Sequence, residues 1–349
     1  MLSLFIHKAM YAVIVIVLVV VIITSIVFVA PVDPTRLTFG QRMDEKTVEL
    51  KKQQLGLDQP YHVQLRRYLT DLSPIYIGSK LKWKPAYRGA YASIGTSHAL
   101  GIKLPHFRES YQTGRSVSEM LLQAFPLTII LATASLLLAL VIGLLCGIVA
   151  ALKQHSWIDN LIVSVSTLGY SVPSYVTAIV LGVVFGYYLR STFGLNIQGS
   201  LFEINNLGDD IIVWKNLILP AIALGIRPIA IITQLTRSAV INVLDKKYVL
   251  VARAKGVSQF KLVRDHVLRN AFNPILTALS GWFAALLAGA FFVEFIFNFK
   301  GIGFITVTAL LNYDVPVILG SLVCTSSLFI LINIVVDMLY SFLDPRVKY

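Results

Sequence analysis

Tyr248-Val-Leu-Val-Ala252-Arg-Ala-Lys-Gly256 sits at the centre of residues 237–273, a basic, helix-forming connection between two apolar runs. From Arg237 to Arg269 there are eight Lys or Arg (237, 246, 247, 253, 255, 261, 264, 269) against Asp245 and Asp265, a net of +6. Such a density on a loop joining two apolar runs marks the cytoplasmic side of a membrane. The pattern predicts two short helices. The first runs from an N-cap at Asn242 or Asp245 to Lys255, with Gly256 as the left-handed residue that ends it. The second starts at Ser258, carries Phe260, Val263, Val267 and Ala271 at helical spacing, and is closed by Asn270 and Pro274. Lys261, Arg264 and Arg269 fall on its other face. Ala252 and Ala254 keep the first helix thin enough to enter a cleft, with Arg253 and Lys255 flanking it for ion pairs. The plainer alternative is a basic loop resting on anionic lipid headgroups. The aligned small residues favour a protein partner.

The composition agrees with the membrane reading. Of 349 residues, 56% are hydrophobic and only 14% charged, where a soluble domain carries about 25% charge. The net charge of +12 is the Lys/Arg excess of membrane loops, and no nucleic-acid motif accompanies it. Cys146 and Cys324 lie inside apolar runs and read as small buried hydrophobes. The six histidines are scattered without a zinc spacing, so no metal site is expected.

The apolar runs predict an all-α polytopic membrane protein with six spans, at about 11–30, 126–152, 159–189, 216–236, 275–298 and 316–342. Residues 1–30 form an anchor helix, retained because its apolar run exceeds a signal peptide's. Residues 31–120 form a long extracytoplasmic loop that holds a candidate helix from Glu45 to Leu55, stopped by Gly56. Residues 121–349 form a five-span core containing the 237–273 loop. Segment 31–120 is itself positive, fourteen Lys or Arg against eight Asp or Glu, but long loops translocate largely regardless of charge. Six spans place both termini in the cytoplasm, with the short basic connections, and the acidic 190–215 segment outside. Proline and glycine are frequent in and beside the spans (Pro126, Gly143, Gly147, Pro173, Pro220, Gly225, Pro228). For most of them, their general abundance in membrane helices is explanation enough.

The ordered motifs resemble those of ABC-transporter permeases of the dipeptide and oligopeptide (peptide/nickel) importer family. They begin with Ala30-Pro31-Val-Asp33-Pro34, Gly56-Leu-Asp-Gln-Pro60 and Thr113-Gly-Arg-Ser-Val117. Tyr248–Gly256, His266-Val-Leu-Arg-Asn270-Ala and Pro274 follow. Gly301-Ile-Gly303, Asp314-Val-Pro316, Asn333-Ile-Val-Val-Asp337 and Leu343-Asp-Pro-Arg346 complete the set. The resemblance implies a type I importer permease without bound cofactor. Its partners would be a second related permease, two cytoplasmic ATPase subunits holding ATP and Mg, and an extracytoplasmic substrate-binding protein. It also implies that Tyr248, Ala252, Arg253, Ala254, Lys255 and Gly256 form a coupling helix seated on an ATPase. The chain departs from the family pattern at Lys247, where an acidic residue is usual, and residues 74–110 look like an insertion.

No Gly-x-x-x-x-Gly-Lys-Ser/Thr phosphate loop occurs, so ATP hydrolysis belongs to another polypeptide. The competing class is an ion-coupled secondary transporter or channel, which needs ionisable groups at membrane depth. The candidates are Arg227, Glu294 and Asp337, the last two near span ends where partial hydration makes them tolerable. They are candidates for pathway or subunit contact. Within the branch, peptides are the default cargo, with nickel chelates, glutathione and antimicrobial peptides as alternatives. The patch Lys80-Leu-Lys-Trp-Lys-Pro-Ala-Tyr-Arg88 reads chiefly as a solvated surface, alternatively as a contact for the binding protein or for headgroups.

Overall fold

A computed structural model of the chain describes residues 2–29, 45–55, 57–79, 89–94, 98–205 and 207–343. The Ala30–Pro34 motif, Gly56, the Lys80–Arg88 patch and the chain beyond Leu343 lie outside the described residues.

In chain order, α1 (Leu2–Val29), α2 (Glu45–Leu55) and α3 (Tyr61–Leu72) precede a small sheet. Its strands β1 (Ile75–Ser79), β2 (Gly89–Ile94) and β3 (His98–Lys103) are antiparallel in the order β1-β3-β2, with Tyr76 opposite Gly101. Next come α4 (Val117–Leu152), α5 (Trp157–Ser171) and α6 (Ser174–Leu181), the last continuing as a π-helical turn over Gly182–Tyr188. A two-stranded ribbon, β4 (Phe202–Ile204) with β5 (Asp210–Ile212), leads into α7 (Lys215–Leu244) and α8 (Lys247–Ala254). The chain closes with α9 (Arg269–Gly289), α10 (Phe291–Ile296), α11 (Ile302–Leu311) and α12 (Val315–Leu343).

Among the described residues, α4, α7 and α12 are each long and apolar enough to cross a membrane, and the α5–α6 pair makes a fourth if it counts as one span. Helix α1 lies on the first apolar run, and the run at 275–298 is divided between α9 and α10. The expected 159–189 span is not straight: its two limbs meet at 103°. Val172 takes an extended backbone (φ −81, ψ 129) and Pro173 caps α6, because a residue before proline is driven out of the helical region. Pro126, Pro220 and Pro228, by contrast, stay inside α4 and α7. The two small sheets also depart from the all-helical expectation. They use short β-branched and aromatic runs such as Ile75-Tyr-Ile77, bounded by Gly78 and Ser79, too brief for a helix but suited to pairing.

The chain divides into two compact units, one built from Met1–Ala124 and Ile305–Ile330, the other from Phe125–Phe304 and Leu331–Lys348. In the first, Val20 of α1, Tyr68 of α3 and Val315, Leu319 and Val323 of α12 make one buried cluster. Asp71 pairs with Arg108 at 2.8 Å, and Arg108 lies over the Tyr68 ring. Burial pushes the Tyr68 hydroxyl above its ordinary pKa. Two sequence motifs meet here: Asp314 accepts hydrogen bonds from Ser110 Oγ (2.5 Å) and from Tyr111 N–H (3.0 Å), fixing the turn before Thr113. In the second unit, α4 lies hard against α7. A Cβ at Gly143 would stand 2.7 Å from Ile232, and one at Gly147 2.7 Å from the Thr233 carbonyl. At this pair of glycines close approach outweighs mere abundance.

Candidate functional site

The 237–273 segment folds as a compact projection with its own core. Helix α7 runs four turns beyond Pro228 because Val240 and Val243 keep its apolar stripe buried. Asn242 therefore lies inside α7, and Asp245 is the C-cap of α7 rather than the N-cap expected for the next helix. Lys246 occupies that N-cap without a side-chain hydrogen bond, and α8 begins at Lys247.

The far end of α8 behaves as expected. Gly256 has φ +78, its N–H donates to the Arg253 carbonyl (3.0 Å), and the Val257 N–H reaches the Ala252 carbonyl (3.3 Å). These are the two hydrogen bonds of a Schellman motif, and Val257 supplies its usual apolar contact against the buried cluster. The corner turns the chain into an α-turn at Gln259–Lys261 with Ser258 as N-cap. That turn runs on without a stop through π-helical Leu262–Leu268 into α9. Asn270 and Pro274 do not close this second helix as expected; both lie inside α9. The Asn270 amide donates to the His266 carbonyl at 2.8 Å, and a proline without its N–H is tolerated where neighbours re-satisfy the freed groups.

The core of the projection joins Val240 and Val243 of α7, Val249 and Ala252 of α8, Leu262, Val267 and Ala271, with Ala151 at the end of α4. Val249 and Ala252 are three apart and form the inward stripe of α8. Ala252 thus faces inward, where its small side chain lets α8 lie close on its own chain. Ala254, Arg253, Lys255 and Gly256 are exposed, as is Tyr248. So are three apolar side chains that the sequence reading left out of the contact surface: Leu250, Val251 and Phe260. Spacing places Phe260 with Val263 and Val267, but it is 76% exposed while they are buried. It stands under the Arg264 guanidinium at 5.9 Å. The signal for Leu250 and Val251 was present: four consecutive apolar or aromatic residues from Tyr248 cannot all face inward on a helix.

Charge braces the root of the projection. Arg237 of α7 donates to both carboxylate oxygens of buried Asp159, at 2.6 and 2.7 Å. Asp159 also accepts from the His155 N–H (3.0 Å), and Ser156 caps α5. This ties the short 153–156 connection to the helix that carries the loop. Further along, the hydrogen bond from Arg264 holds the Asp265 carboxyl below the usual carboxylate range.

The ionisable candidates sit apart from the projection. Arg227 lies mid-way along α7, its guanidinium 5.3 Å from the Tyr170 ring centroid. Asp337 lies on α12, with surroundings outside the described side chains. Glu294 corrects the sequence reading, for it is wholly buried (0% exposed) rather than partly hydrated. Backbone replaces water there: Oε2 accepts from the Phe304 N–H at 3.1 Å. A Cβ at Gly301 would strike the Glu294 carboxyl and Thr128 Oγ1, and one at Gly303 would stand 2.9 Å from Oε2. Gly301-Ile-Gly303 is therefore a cradle for a buried carboxyl, joined by the Ile302 N–H donating to Thr128 Oγ1 at 2.9 Å.

With this geometry in place, comparison with known proteins decides the family. The family model described as binding-protein-dependent transport system inner membrane component matches residues 143–349, and the corresponding N-terminal model matches 1–132. The chain belongs to this family. A glutathione transport system permease protein of Salmonella paratyphi A is 33% identical over 323 residues, 93% of this chain and 91% of its own. A putative peptide transport system permease protein of Brucella abortus is 32% identical over 320 residues (91% and 90%). A dipeptide transport system permease protein of Alkalihalophilus pseudofirmus is 30% identical over 366 residues, spanning both chains fully. The fold of this permease is similar to that in an inward-facing structure of the MetNI methionine ABC transporter. There the TM-score is 0.53 at 17% identity, over 65% of this chain and 97% of that one.

Proposed function

We propose that this permease is the membrane-spanning subunit of an ATP-driven importer of di- or oligopeptides, and that α8 is the element through which separate ATPase subunits move it. The exposed face of α8 carries the reading. Behind it lies a core that makes the projection rigid; in front stand Tyr248, Leu250 and Val251 with Arg253 and Lys255. Exposed apolar side chains ringed by cations on a braced helix mark a protein contact.

In this mechanism ATP closes a dimer of ATPases against the loop. Force enters at α8, passes through the shared core into the ends of α4, α7 and α9, and tilts those helices between outward- and inward-open states. Cargo arrives from an extracytoplasmic binding protein and crosses between this chain and a second, related permease. Both termini and the loop are cytoplasmic, and ATP and Mg stay on the partners. Two relatives' names support peptides as cargo, and a third names glutathione, itself a tripeptide. The test is purification with co-expressed partners. ATPase subunits co-isolate and their hydrolysis rises when binding protein loaded with peptide is added; uptake by this chain alone, driven by an ion gradient in liposomes, refutes the proposal.

A further inference from the structure

Arg227 lies about 18 Å along α7 from Lys215 at 1.5 Å per residue, near the middle of the 216–236 apolar run. Its Nε is buried without a hydrogen-bond partner, and among the described residues no carboxylate forms an ion pair with it. The Tyr170 ring covers one face of the guanidinium. Tyr170 is held there because α5 closes on α7 at Gly169, where a Cβ would stand 3.1 Å from the Ile226 side chain. Tyr170 is itself 43% exposed. Past the Val172–Pro173 elbow, exposed Tyr175 pairs with exposed Phe292 at 6.1 Å between ring centroids.

A charged arginine at this depth is costly and calls for an anion or a wet cavity. Stacking on Tyr170 satisfies the π face only. The covered Nε cannot reach a solute, but the terminal N–H donors remain, and the two terminal nitrogens form a fork that a carboxylate accepts in bidentate fashion. Exposed rings at the same elbow suit peptide side chains better than a lipid phosphate. We propose that Arg227, braced on Tyr170, is a station on the translocation pathway that takes the free carboxylate of a passing peptide. The proposal rests on the peptide-import reading above. A carboxylate of the second permease or a lipid phosphate could supply the same anion, and the test separates them.

The complete transporter, with loaded binding protein, is reconstituted in liposomes and given labelled trialanine or trialaninamide at matched occupancy of the binding protein. Wild type moves trialanine faster than the amide. In Arg227→Gln, trialanine uptake falls about tenfold, the worth of one charge-assisted hydrogen bond, and the ratio of the two rates approaches one; Arg227→Lys keeps part of the preference. Loss of the second permease on purification of Arg227→Gln assigns the guanidinium to a subunit ion pair and overturns the proposal. An unchanged ratio, or equal loss of both peptides that depends on anionic lipid content, overturns it too. If the wild-type transporter moves neither peptide, the peptide reading itself fails, and this inference with it.

Discussion

Gly256 has φ +78 and open space where a Cβ would stand, so a substitution there strains the backbone and crowds nothing. Gly256→Ala should cost about 1–2 kcal/mol, read as a small fall in the Tm of the purified complex. Gly256→Asp adds a carboxylate beside Arg253 and Lys255. It should weaken ATPase assembly or coupling while the chain still inserts in the membrane; normal transport by this variant would count against the docking role. Asp159 presents the opposite case, a buried carboxylate with a bidentate partner. Arg237→Ala should destabilise by about 3 kcal/mol, because it strands the buried Asp159 charge, and Asp159→Ala by less, because the Arg237 side chain is 26% exposed and its charge reaches water. The double mutant should lose much less than the sum, as measured by thermal unfolding in detergent. Gly256 was legible in the sequence because a left-handed C-cap is a local requirement. The Asp159–Arg237 pair was not, since 78 residues separate its members and only the packing of α5 on α7 brings them together.

Within α8, Val249 and Val251 are two positions apart and meet opposite fates, one buried and one exposed. Val249→Ala should destabilise the loop by about 2 kcal/mol, from two buried methyl groups and the space they leave. Val251→Ala should leave stability within about 0.5 kcal/mol, yet lower ATPase affinity. Hydrogen exchange over α8, with and without partners, distinguishes the two. The sequence showed that two helices and a corner occupy this loop. It misplaced their ends, because the apolar stripe of α7 continues past Asn242 and the second helix merges with α9 through a π-helical stretch. Propensity and capping rules see the short-range preference of Asp245 or Pro274; tertiary burial of Val240, Val243 and Val267 overrode it. Burial of Ala252 follows from the same packing, since small size alone does not say which neighbour needs the space.

At the scale of the whole chain, the helical membrane class and the family were the most legible features, because twenty-residue apolar runs and an ordered set of motifs are both long-range signals. The motifs gain physical content once folded. Asp314-Val-Pro316 meets the turn before Thr113, and Gly301-Ile-Gly303 lodges the Glu294 carboxyl. The 103° elbow in the third apolar run, the three-stranded sheet of the long loop and the β4–β5 ribbon escaped, since hydropathy reports that a segment is apolar, not whether it is straight. All of this matters to function only if α8 receives force from another polypeptide. Placing a photo-crosslinking residue at exposed Val251, and in parallel at buried Val249, in membranes containing the assembled transporter tests that contact. A covalent adduct between position 251 and an ATPase subunit, absent at 249 and altered by ATP, is the predicted result; adducts at 251 with lipid alone would contradict it.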